Sequence, residues 1–470
     1  MPIDAATMER ALNPKTVVVF GDKKASGYMW LNGMRRFTGR LYSVQVDPNE
    51  IANIEEMGVK NFTSLGDVPE PVDYAICAVP RSVAPRVVAD CIKHNVGGVT
   101  LFTAGYAETG TEEGKNAQNE ILAMAREGGL LLIGPNCMGL HNPSLGVCFF
   151  PEQPVYERGN VGFSSQSGSH ANSFSIAAPE NGLYISKMIS FGNGIVLENA
   201  DYLEYLAHDP QTEAIAMYVE SVRDGRRLFR LLRETTPKKP VLIWKGGQTD
   251  AGKRATASHT AALAESMAIW EAVAKQTGAL LVHSMDEALD TLKALLLLPP
   301  FSGTGCGLTG GAGGQSVSIT DAFVKGGMTV PALSSESYRR LEEFFSLVGA
   351  SFRNPIDMGS NRKEMDTILD ILAEDPVIDV IVMQIGYLGG QRQQSQLESQ
   401  IDALVRFKQR TAKPVVAIPN SPTPYRNAEV LMEIVEKLRA GGIASYPTYE
   451  RAAHALKNAA AYHHFRATVS

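Results

Sequence analysis

One histidine lies in a setting that favours phosphoryl chemistry. His259 stands near the end of the stretch KGGQTDAGKRATASHTAAL (245–263). Within it, Gly247 to Arg254 nearly match the phosphate loop of nucleoside-triphosphate enzymes, but Arg254 replaces the Ser or Thr whose hydroxyl ligates Mg²⁺. A neutral imidazole is a nucleophile or a general base, and a histidine before a helix can also simply cap it. The stretch therefore leaves three readings for His259: nucleophile, base or cap.

A serine-rich loop follows a predicted strand and precedes a predicted helix that starts near His170. It contains Ser165, Gln166, Ser167 and Gly168. Free N–H groups and the positive end of the helix dipole suit an anion such as phosphate. Two other readings remain, a plain serine cap and a serine nucleophile, although the G-x-S-x-G pattern of a nucleophile elbow is not met.

A glycine-rich loop occupies the same kind of position in the last third of the chain. Gly310, Gly311, Gly313 and Gly314 surround Ala312 between a predicted strand and a predicted helix. Bare backbone of this kind can form an anion-binding concavity. Turn flexibility would explain one glycine better than four, so this loop is a second candidate for phosphate.

Three loops near the N-terminus outline a small-molecule cleft. The first loop offers Gly21, Ser26 and Gly27, the turn TAGYAE (103–108) adds a glycine and a carboxylate, and Asn136 follows the fifth predicted strand. The first loop lacks G-x-G-x-x-G, which disfavours a nicotinamide-dependent oxidoreductase. It could also be an ordinary strand-to-helix turn.

The elements around these loops alternate short apolar runs with amphipathic stretches. This alternation is typical of α/β folds with parallel sheets, in which ligands bind at the carboxyl ends of the strands. Three such series follow one another, so we expect three doubly wound domains, over 1–150, 151–299 and 300–470.

Composition narrows the partners. The net charge is −6 and no basic stripe stands out, which argues against nucleic acid or a membrane surface as a partner. Five scattered cysteines without a CxxC pair fit a reducing cytoplasm and argue against a zinc ribbon. The first residues lack an apolar signal core. No metal site is predicted on this chain.

Taken together, the motifs resemble the α subunit of the ADP-forming (NDP-forming) acyl-CoA synthetases, relatives of succinyl-CoA synthetase. The resemblance covers nearly the whole chain in order. The matching stretches are VDYAICAVP (72–80), TAGYAETG (103–110), IGPNCMGL (133–140), GFSSQSGS (162–169), ISFGN (189–193), YLEYLAHD (202–209), MYVESVRDGRR (217–227), SHTAALA (258–264), TGGAGG (309–314) and NPIDMG (354–359).

The resemblance implies a role for each motif. It implies that His259 is phosphorylated during turnover, that Glu220 hydrogen-bonds its imidazole, and that the serine-rich and glycine-rich loops hold the phosphate. It also implies a Rossmann-like domain that binds coenzyme A, followed by two flavodoxin-like ligase domains. The residues that would contact coenzyme A are Gly21, Ser26, Gly27, Val79, Pro80, Thr103, Ala104, Gly105, Glu108, Asn136 and Cys137.

The resemblance further implies a partner. No ATP-grasp domain is recognisable in the sequence, so we expect a separate ATP-grasp β subunit to supply ATP or ADP with Mg²⁺. The assembly would be a heterotetramer or contain a homodimer of this chain, and its substrate would be a carboxylic acid. Ala261 and Glu265 depart from the family's usual glycines. They motivate an alternative, a coenzyme A-binding subunit or regulator without phosphoryl transfer.

Overall fold

The computed structural model describes residues 4–254, 266–311, 313–387 and 391–469, with side chains in the last range from residue 396 onward. His259, Ala261, Glu265 and Ala312 lie outside the described residues. The chain divides into two compact units, Met1–Met285 (unit 1) and Asp286–Ser470 (unit 2). Each unit is described by itself.

The first sheet of unit 1 is fully parallel. Its order, β3-β2-β1-β4-β5-β6, is the Rossmann strand order, with a switch point between β1 and β4. The strands are β1 Thr16–Phe20, β2 Arg40–Val44, β3 Lys60–Phe62, β4 Tyr74–Cys77, β5 Gly98–Leu101 and β6 Leu132–Ile133. All residues of β1 and β4 are buried, which fits a sheet covered by helices on both faces.

The second sheet of unit 1 has the order β12-β11-β10-β8-β9-β7. Its five parallel strands follow the flavodoxin-like order, and β7 adds an antiparallel strand beside β9. The strands are β7 Gly139–His141, β8 Val161–Ser165, β9 Ile185–Ser190, β10 Ala214–Val219, β11 Val241–Lys245 and β12 Leu280–Val282. Because β7 follows β6 after five residues, one short segment contributes a strand to both sheets of unit 1.

Helices connect these strands, and local signals set their ends. The helix after β5 is an example, because the Thr111 hydroxyl accepts from Gly114 N and acidic residues occupy its first turn. The helices are α1 Ala5–Leu12, α2 Met29–Gly33, α3 Pro48–Glu56, α4 Ala84–Lys93, α5 Glu112–Glu127, α6 Gly168–Glu180, α7 Asn199–His208, α8 Gly225–Thr235 and α9 Met267–Thr277. A further helical turn covers 250–254.

Unit 2 contains a smaller parallel sheet in the order β13-β14-β15-β16. On the side of β13 that does not pair with β14, isolated parallel bridges pair Gly305 with Thr329 and Thr309 with Ile356. The strands are β13 Cys306–Thr309, β14 Val380–Gly386, β15 Val415–Asn420 and β16 Ala444–Ser445. The helices are α10 Met285–Leu297, α11 Gly314–Lys325, α12 Ser335–Glu342, α13 Met365–Glu374, α14 Gln391–Lys408, α15 Ala428–Ala440 and α16 Tyr449–Val469.

Two features of unit 2 differ from what the sequence pattern alone predicts. The apolar run MTVPAL (328–333) is typical of a strand, but it forms only the bridge at Thr329. Pro331 lacks the N–H that a strand would donate. The helix α10 falls within the expected second domain, 151–299, but all of it except Met285 belongs to unit 2, where the Asp290 carboxylate pairs with Arg451 at 2.5 Å.

The fold class is confirmed: the chain is α/β, with a Rossmann-like sheet followed by two flavodoxin-like regions. The domain limits at 150 and 300 remain a proposal. Among the described residues, no helix is long and apolar enough to cross a membrane.

Candidate functional site

The first loop after β1 is built around a glycine that no other residue could replace without strain. Gly21 has φ of 72°, and a Cβ there would lie 2.5 Å from Val79 Cγ1. The loop after β1 therefore touches the residues that follow β4, at the switch point of the sheet. The Ser26 hydroxyl donates to the buried Asp22 carboxylate at 2.9 Å. Burial raises the pKa of Asp22.

Glu108 organises the turn after β5. One carboxylate oxygen accepts from Gly105 N at 2.6 Å and from Tyr106 N at 3.0 Å. The other accepts from the Asn193 side-chain amide at 2.6 Å. Asn193 follows β9 of the second sheet, so this carboxylate ties the ends of the two sheets together. The carboxylate thus has a structural use that sequence reasoning did not assign.

Asn136 and Asn193 continue this link. Asn136 has φ of 57°, its N–H donates to Thr103 O at 3.0 Å, and its amide lies 3.5 Å from Asn193 Oδ1. Thr103 in turn donates its hydroxyl to Val79 O at 2.6 Å. The structure therefore brings together the residues expected after β4, β5 and β6 on one rim.

Two of the expected coenzyme A residues present little side chain to this rim. Cys137 is buried, its thiol lies 3.6 Å from Leu101 O, and burial raises its pKa strongly. Ala104 offers only a methyl group. Pro80 is exposed directly after Val79. These residues can shape the cleft, while Glu108 and the two asparagines supply its polar atoms.

The serine-rich loop lies between β8 and α6. The helix begins at Gly168, two residues earlier than expected, and Ser167 is its N-cap, because its hydroxyl accepts from His170 N at 3.3 Å. Ser165 Oγ accepts from Ser167 N at 3.1 Å. Capping is thus a role that Ser167 fills here. The N-terminal end of α6 still carries the positive dipole that suits an anion.

Gln166 connects this loop with Glu220. Its side-chain oxygen accepts from Glu220 N at 2.6 Å and from Ser221 N at 2.9 Å. The phosphate candidate and the carboxylate candidate are therefore adjacent, through one amide. Sequence reasoning named Gln166 as a phosphate ligand, whereas the structure uses its oxygen to hold the loop after β10.

The surroundings of Glu220 include a tyrosine and a buried lysine. The Tyr218 hydroxyl hydrogen-bonds the Glu220 carboxylate, and burial together with this negative charge raises the pKa of Tyr218. Lys245 is 2% exposed, and its ammonium donates to Glu220 O at 2.7 Å and to Gly246 O at 2.6 Å. A Cβ at Gly246 would lie 2.7 Å from the Tyr218 hydroxyl. Gly246 therefore leaves the space in which this hydroxyl reaches the carboxylate.

Two further histidines, His170 and His141, follow the serine-rich loop and the turn after β6. His170 lies in the first turn of α6, where its ring contacts Tyr218 and Trp244 at centroid distances of 4.5 and 4.4 Å. Burial lowers the pKa of His170. His141 instead lies fully buried in β7, with its Nδ1 2.9 Å from Val147 O, which indicates a structural role.

The glycine-rich loop of unit 2 lies between β13 and α11. Gly310 has φ of 90°, and a Cβ there would lie 2.2 Å from Gln384 O. Gly313 has φ of 51° and precedes α11 without any side-chain cap. Its N–H donates to the Asp357 carboxylate at 2.7 Å. A carboxylate of the protein itself therefore occupies one donor of this loop.

A buried amide also faces the loop. Gln384 is 5% exposed, and its side-chain oxygen has no hydrogen-bond partner in the part of the chain that the structure describes. That oxygen lies 3.1 Å from the place where a Cβ of Gly311 would stand. The Ser316 hydroxyl, in the first turn of α11, is likewise buried without a described partner. Sequence reasoning missed both residues, since no local pattern connects Gln384 to a loop 70 positions earlier.

The two phosphate candidates belong to different units, so their joint use remains a prediction. Roles for His259 and Ala312 also remain predictions, since both lie outside the described residues. Among the described residues, no group of three or more His, Cys, Asp or Glu side chains could hold a metal ion.

Comparison with known families agrees with the fold. A family model described as a CoA binding domain matches residues 15–143. A second, described as a succinyl-CoA ligase like flavodoxin domain, matches residues 158–295. The first match contains the rim at the ends of β1, β4, β5 and β6. The second contains the serine-rich loop, Glu220 and the stretch that includes His259.

Individual relatives extend this match to the whole chain. The acetate–CoA ligase [ADP-forming] II subunit alpha of Pyrococcus furiosus is 33% identical, over 93% of each chain. The acetate–CoA ligase [ADP-forming] I of Archaeoglobus fulgidus is 32% identical over 80% of this chain, which covers only 54% of that longer protein. A dinucleotide forming acetyl-coenzyme A synthetase 1 of Ca. Korarchaeum cryptofilum, solved in complex with phosphate and ADP, superposes with a TM-score of 0.83, 29% identity and 98% coverage of both chains.

The likeness therefore includes both units, at an identity that reaches one third and with nearly complete coverage of an alpha subunit. The relatives are acid–thiol ligases. The chain belongs to the family of ADP-forming acyl-CoA synthetases and corresponds to their alpha subunits.

Proposed function

We propose that this chain joins a carboxylic acid to coenzyme A through a phosphohistidine and an acyl phosphate. The γ-phosphoryl group of ATP passes to an imidazole nitrogen of His259, and ADP leaves. A carboxylate oxygen of the acid then attacks the phosphorus, which frees the histidine and forms the acyl phosphate. The sulfur of coenzyme A finally attacks the acyl carbon, the thiol proton is lost and phosphate leaves.

The observation that carries the proposal is the Gln166 bridge. The amide oxygen of Gln166 fixes the backbone of Glu220 and Ser221 beside the N-terminus of α6. A carboxylate beside a phosphate cradle is what a phosphohistidine step needs, because it orients the neutral imidazole and stabilises the cation that forms. Tyr218 would act as a positioning residue through its hydrogen bond to Glu220.

Helix dipoles supply the remaining stabilisation. Phosphoryl transfer is catalysed mostly by positioned positive charge around the transferring group. We assign this role to the N-terminal ends of α6 and α11, with the loops 165–168 and 310–314. The buried side chain of Gln384 would donate an N–H of its Nε2, whose other N–H faces Gln315 Oε1 at 3.4 Å, to the anion in the glycine-rich loop.

Coenzyme A is assigned to the rim of the Rossmann-like sheet. The supporting observation is the set of polar atoms around Glu108, Asn136 and Asn193, together with the close approach of Gly21 to Val79. These groups join the end of the first sheet to the end of the second. A thiol delivered along this rim would approach the serine-rich loop.

The nucleotide is assigned to a partner. We expect a separate ATP-grasp β subunit to bind ATP or ADP with Mg²⁺. This chain covers only 54% of the Archaeoglobus relative, and we expect the β subunit to supply what the remaining part of that relative does. The assembly would be a heterotetramer, or would contain a homodimer of this chain. All five cysteines are free and buried, which fits a cytoplasmic location.

The test is phosphorylation of the purified chain by γ-labelled ATP in the presence of its partner subunit. We expect an acid-labile label that His259→Asn abolishes and Glu220→Gln reduces at least tenfold. His208→Asn is the control, because it replaces an exposed histidine of unit 1 outside the proposed site, and it should keep the label. An acid-stable label, or one that survives His259→Asn, contradicts the proposal.

The alternative function, a coenzyme A-binding regulator, predicts coenzyme A binding and no label with any nucleotide or partner. The acid substrate is tested by release of ADP with a panel that begins with acetate, the acid that the Pyrococcus and Archaeoglobus names carry. Longer and aromatic acids complete the panel, with GTP as the alternative nucleotide.

A further inference from the structure

The turn after β2 is acidic where a Rossmann-like domain holds the ribose of its ligand. In this fold a carboxylate at the end of the second strand hydrogen-bonds a free ribose hydroxyl, and a cation replaces it when the ribose carries a phosphate. Here the six residues after β2 include Asp47 and Glu50 and no Lys or Arg. Coenzyme A carries a phosphate on its ribose. Its charge must therefore be met from another element.

The first loop supplies two cations. Lys23 and Lys24 lie in a tight turn in which Ser26 N and Tyr28 N donate to Lys23 O at 3.0 and 3.1 Å, and Gly27 N donates to Lys24 O at 2.9 Å. Both lysine side chains are exposed. Within the described ranges, neither ammonium forms an ion pair or a hydrogen bond. The turn thus presents two unpaired positive charges.

The carboxylates nearest to this turn are already satisfied. Asp22 accepts from Leu31 N at 2.9 Å, from Lys23 N at 3.0 Å and from the Ser26 hydroxyl. Glu50 accepts from Lys24 N at 2.9 Å and from the Tyr28 hydroxyl. Their demand for donors is met by backbone and hydroxyl groups, which leaves both ammonium groups available.

One of these bonds also fixes the place of the lysines. The bond from Lys24 N to Glu50 joins the first loop to the first turn of α3, the helix that Asp47 caps by accepting from Asn49 N at 3.0 Å. The two lysines therefore lie beside the ribose end of the expected cleft. Gly21, two residues before Lys23, is the point at which the loop touches Val79.

We propose that Lys23 and Lys24 bind the ribose phosphate of coenzyme A and make this domain selective for the phosphorylated coenzyme over dephospho-coenzyme A. The inference rests on the coenzyme A site proposed above. It adds the two residues that distinguish coenzyme A from dephospho-coenzyme A and the ribose phosphate that they recognise. Asp47 opposes the phosphate, so the two lysines must outweigh it.

The test is a binding cycle between the ligand phosphate and the lysines. Calorimetry on the full chain compares coenzyme A with dephospho-coenzyme A for the wild type, for Lys23→Ala/Lys24→Ala, and for the control Lys93→Ala/Lys275→Ala, which removes two exposed lysines elsewhere in unit 1. We expect the first double variant to bind coenzyme A roughly 10- to 100-fold more weakly and dephospho-coenzyme A less than about threefold more weakly.

The control should keep the wild-type preference. Asp47→Asn should strengthen coenzyme A binding by a few-fold and leave dephospho-coenzyme A unchanged, because it removes an opposing charge. Equal loss of both ligands in the lysine variant, or no loss of either, overturns the inference while the coenzyme A site stands. Failure of the wild type to bind either ligand overturns the site and the inference together.

Discussion

The loops before α6 and α11 each lead from a parallel strand into a helix, but their internal chemistry differs. The serine-rich loop uses its own side chains, since Ser167 caps the helix and Gln166 holds the loop after β10. The glycine-rich loop has no side-chain cap, and it leaves Gln384 and Ser316 with buried polar atoms that no described group satisfies. The side chains of the serine-rich loop are hydrogen-bonded within the protein, so only its helix dipole and backbone remain for a ligand. The glycine-rich loop also retains polar side-chain atoms that a ligand would satisfy.

The largest expected effect comes from adding a side chain at Gly310 in the glycine-rich loop. Gly310→Ala should lower the free energy of unfolding by about 4 kcal/mol, because it combines strain at φ of 90° with a Cβ 2.2 Å from Gln384 O. The control is Gly314→Ala in the same loop, where a Cβ meets nothing within 4 Å. Urea unfolding of the two variants measures the difference. Equal stability of both would show that the loop relaxes freely.

Acid should lower the free energy of unfolding of unit 1, which contains the serine-rich loop. Burial lowers the pKa of His141 to about 4 from its ordinary 6.5. The unfolded chain binds the proton more tightly, so acidification from pH 6.5 to 4 should cost up to about 3 kcal/mol. His141→Gln should remove most of this slope, whereas His208→Gln, at an exposed histidine, should not. Tryptophan fluorescence during urea unfolding reports the change, since all three tryptophans lie in unit 1.

Two substitutions of Ser167 distinguish helix capping from anion binding in the serine-rich loop. Ser167→Ala should lower the free energy of unfolding by about 1 kcal/mol through loss of the cap. Ser167→Asp should restore the stability, since aspartate also caps, but its charge should suppress phosphorylation of the chain. Thermal unfolding and labelling with ATP measure the two effects. If the aspartate variant is labelled as well as the wild type, no anion approaches this helix end.

The smallest expected effect on stability comes from Gln384, beside the glycine-rich loop, and it should be stabilising where the preceding substitutions are destabilising. Gln384→Leu removes a buried oxygen without a described partner, so the free energy of unfolding should stay unchanged or rise by up to about 1 kcal/mol. In the reverse reaction, the KM for phosphate should rise about tenfold, because the Nε2 of Gln384 no longer donates to the anion. Gln384→Asn serves as the partial-rescue variant. Destabilisation by the leucine with an unchanged KM would assign Gln384 a purely structural role.

Local signals explain how much of the fold the sequence could predict. Apolar runs such as those of β1, β4 and β10 are buried along their whole length, and they stand out between polar loops. The edge strand β3, Lys60–Phe62, has only three residues and two of them are polar, so no pattern marks it. The strand β7 is equally short, and its antiparallel pairing depends on β9, which lies about fifty positions later.

The candidate site likewise contains features that local sequence predicts and features that depend on long-range contacts. The two loops were predictable because a helix N-terminus is a local property of small residues that follow a strand. The bond between Gln166 and Glu220 spans 54 positions, and the approach of Gln384 to Gly311 spans 73. Contacts of this range depend on strand order, which a single sequence does not encode in any short pattern. Gly246 was visible as a glycine, but the reason for it, the Tyr218 hydroxyl, was not.

The strand β7 has a consequence for modular evolution. Only five residues separate it from β6, so the chain leaves one sheet and enters the edge of the next before residue 150. A fragment that began at residue 151 would lack this strand, and the backbone of β9 would become an open edge that invites pairing with other chains. Recombination that kept the second sheet intact would have to carry residues 139–141 with it. The two halves of unit 1 should therefore be inherited as one block.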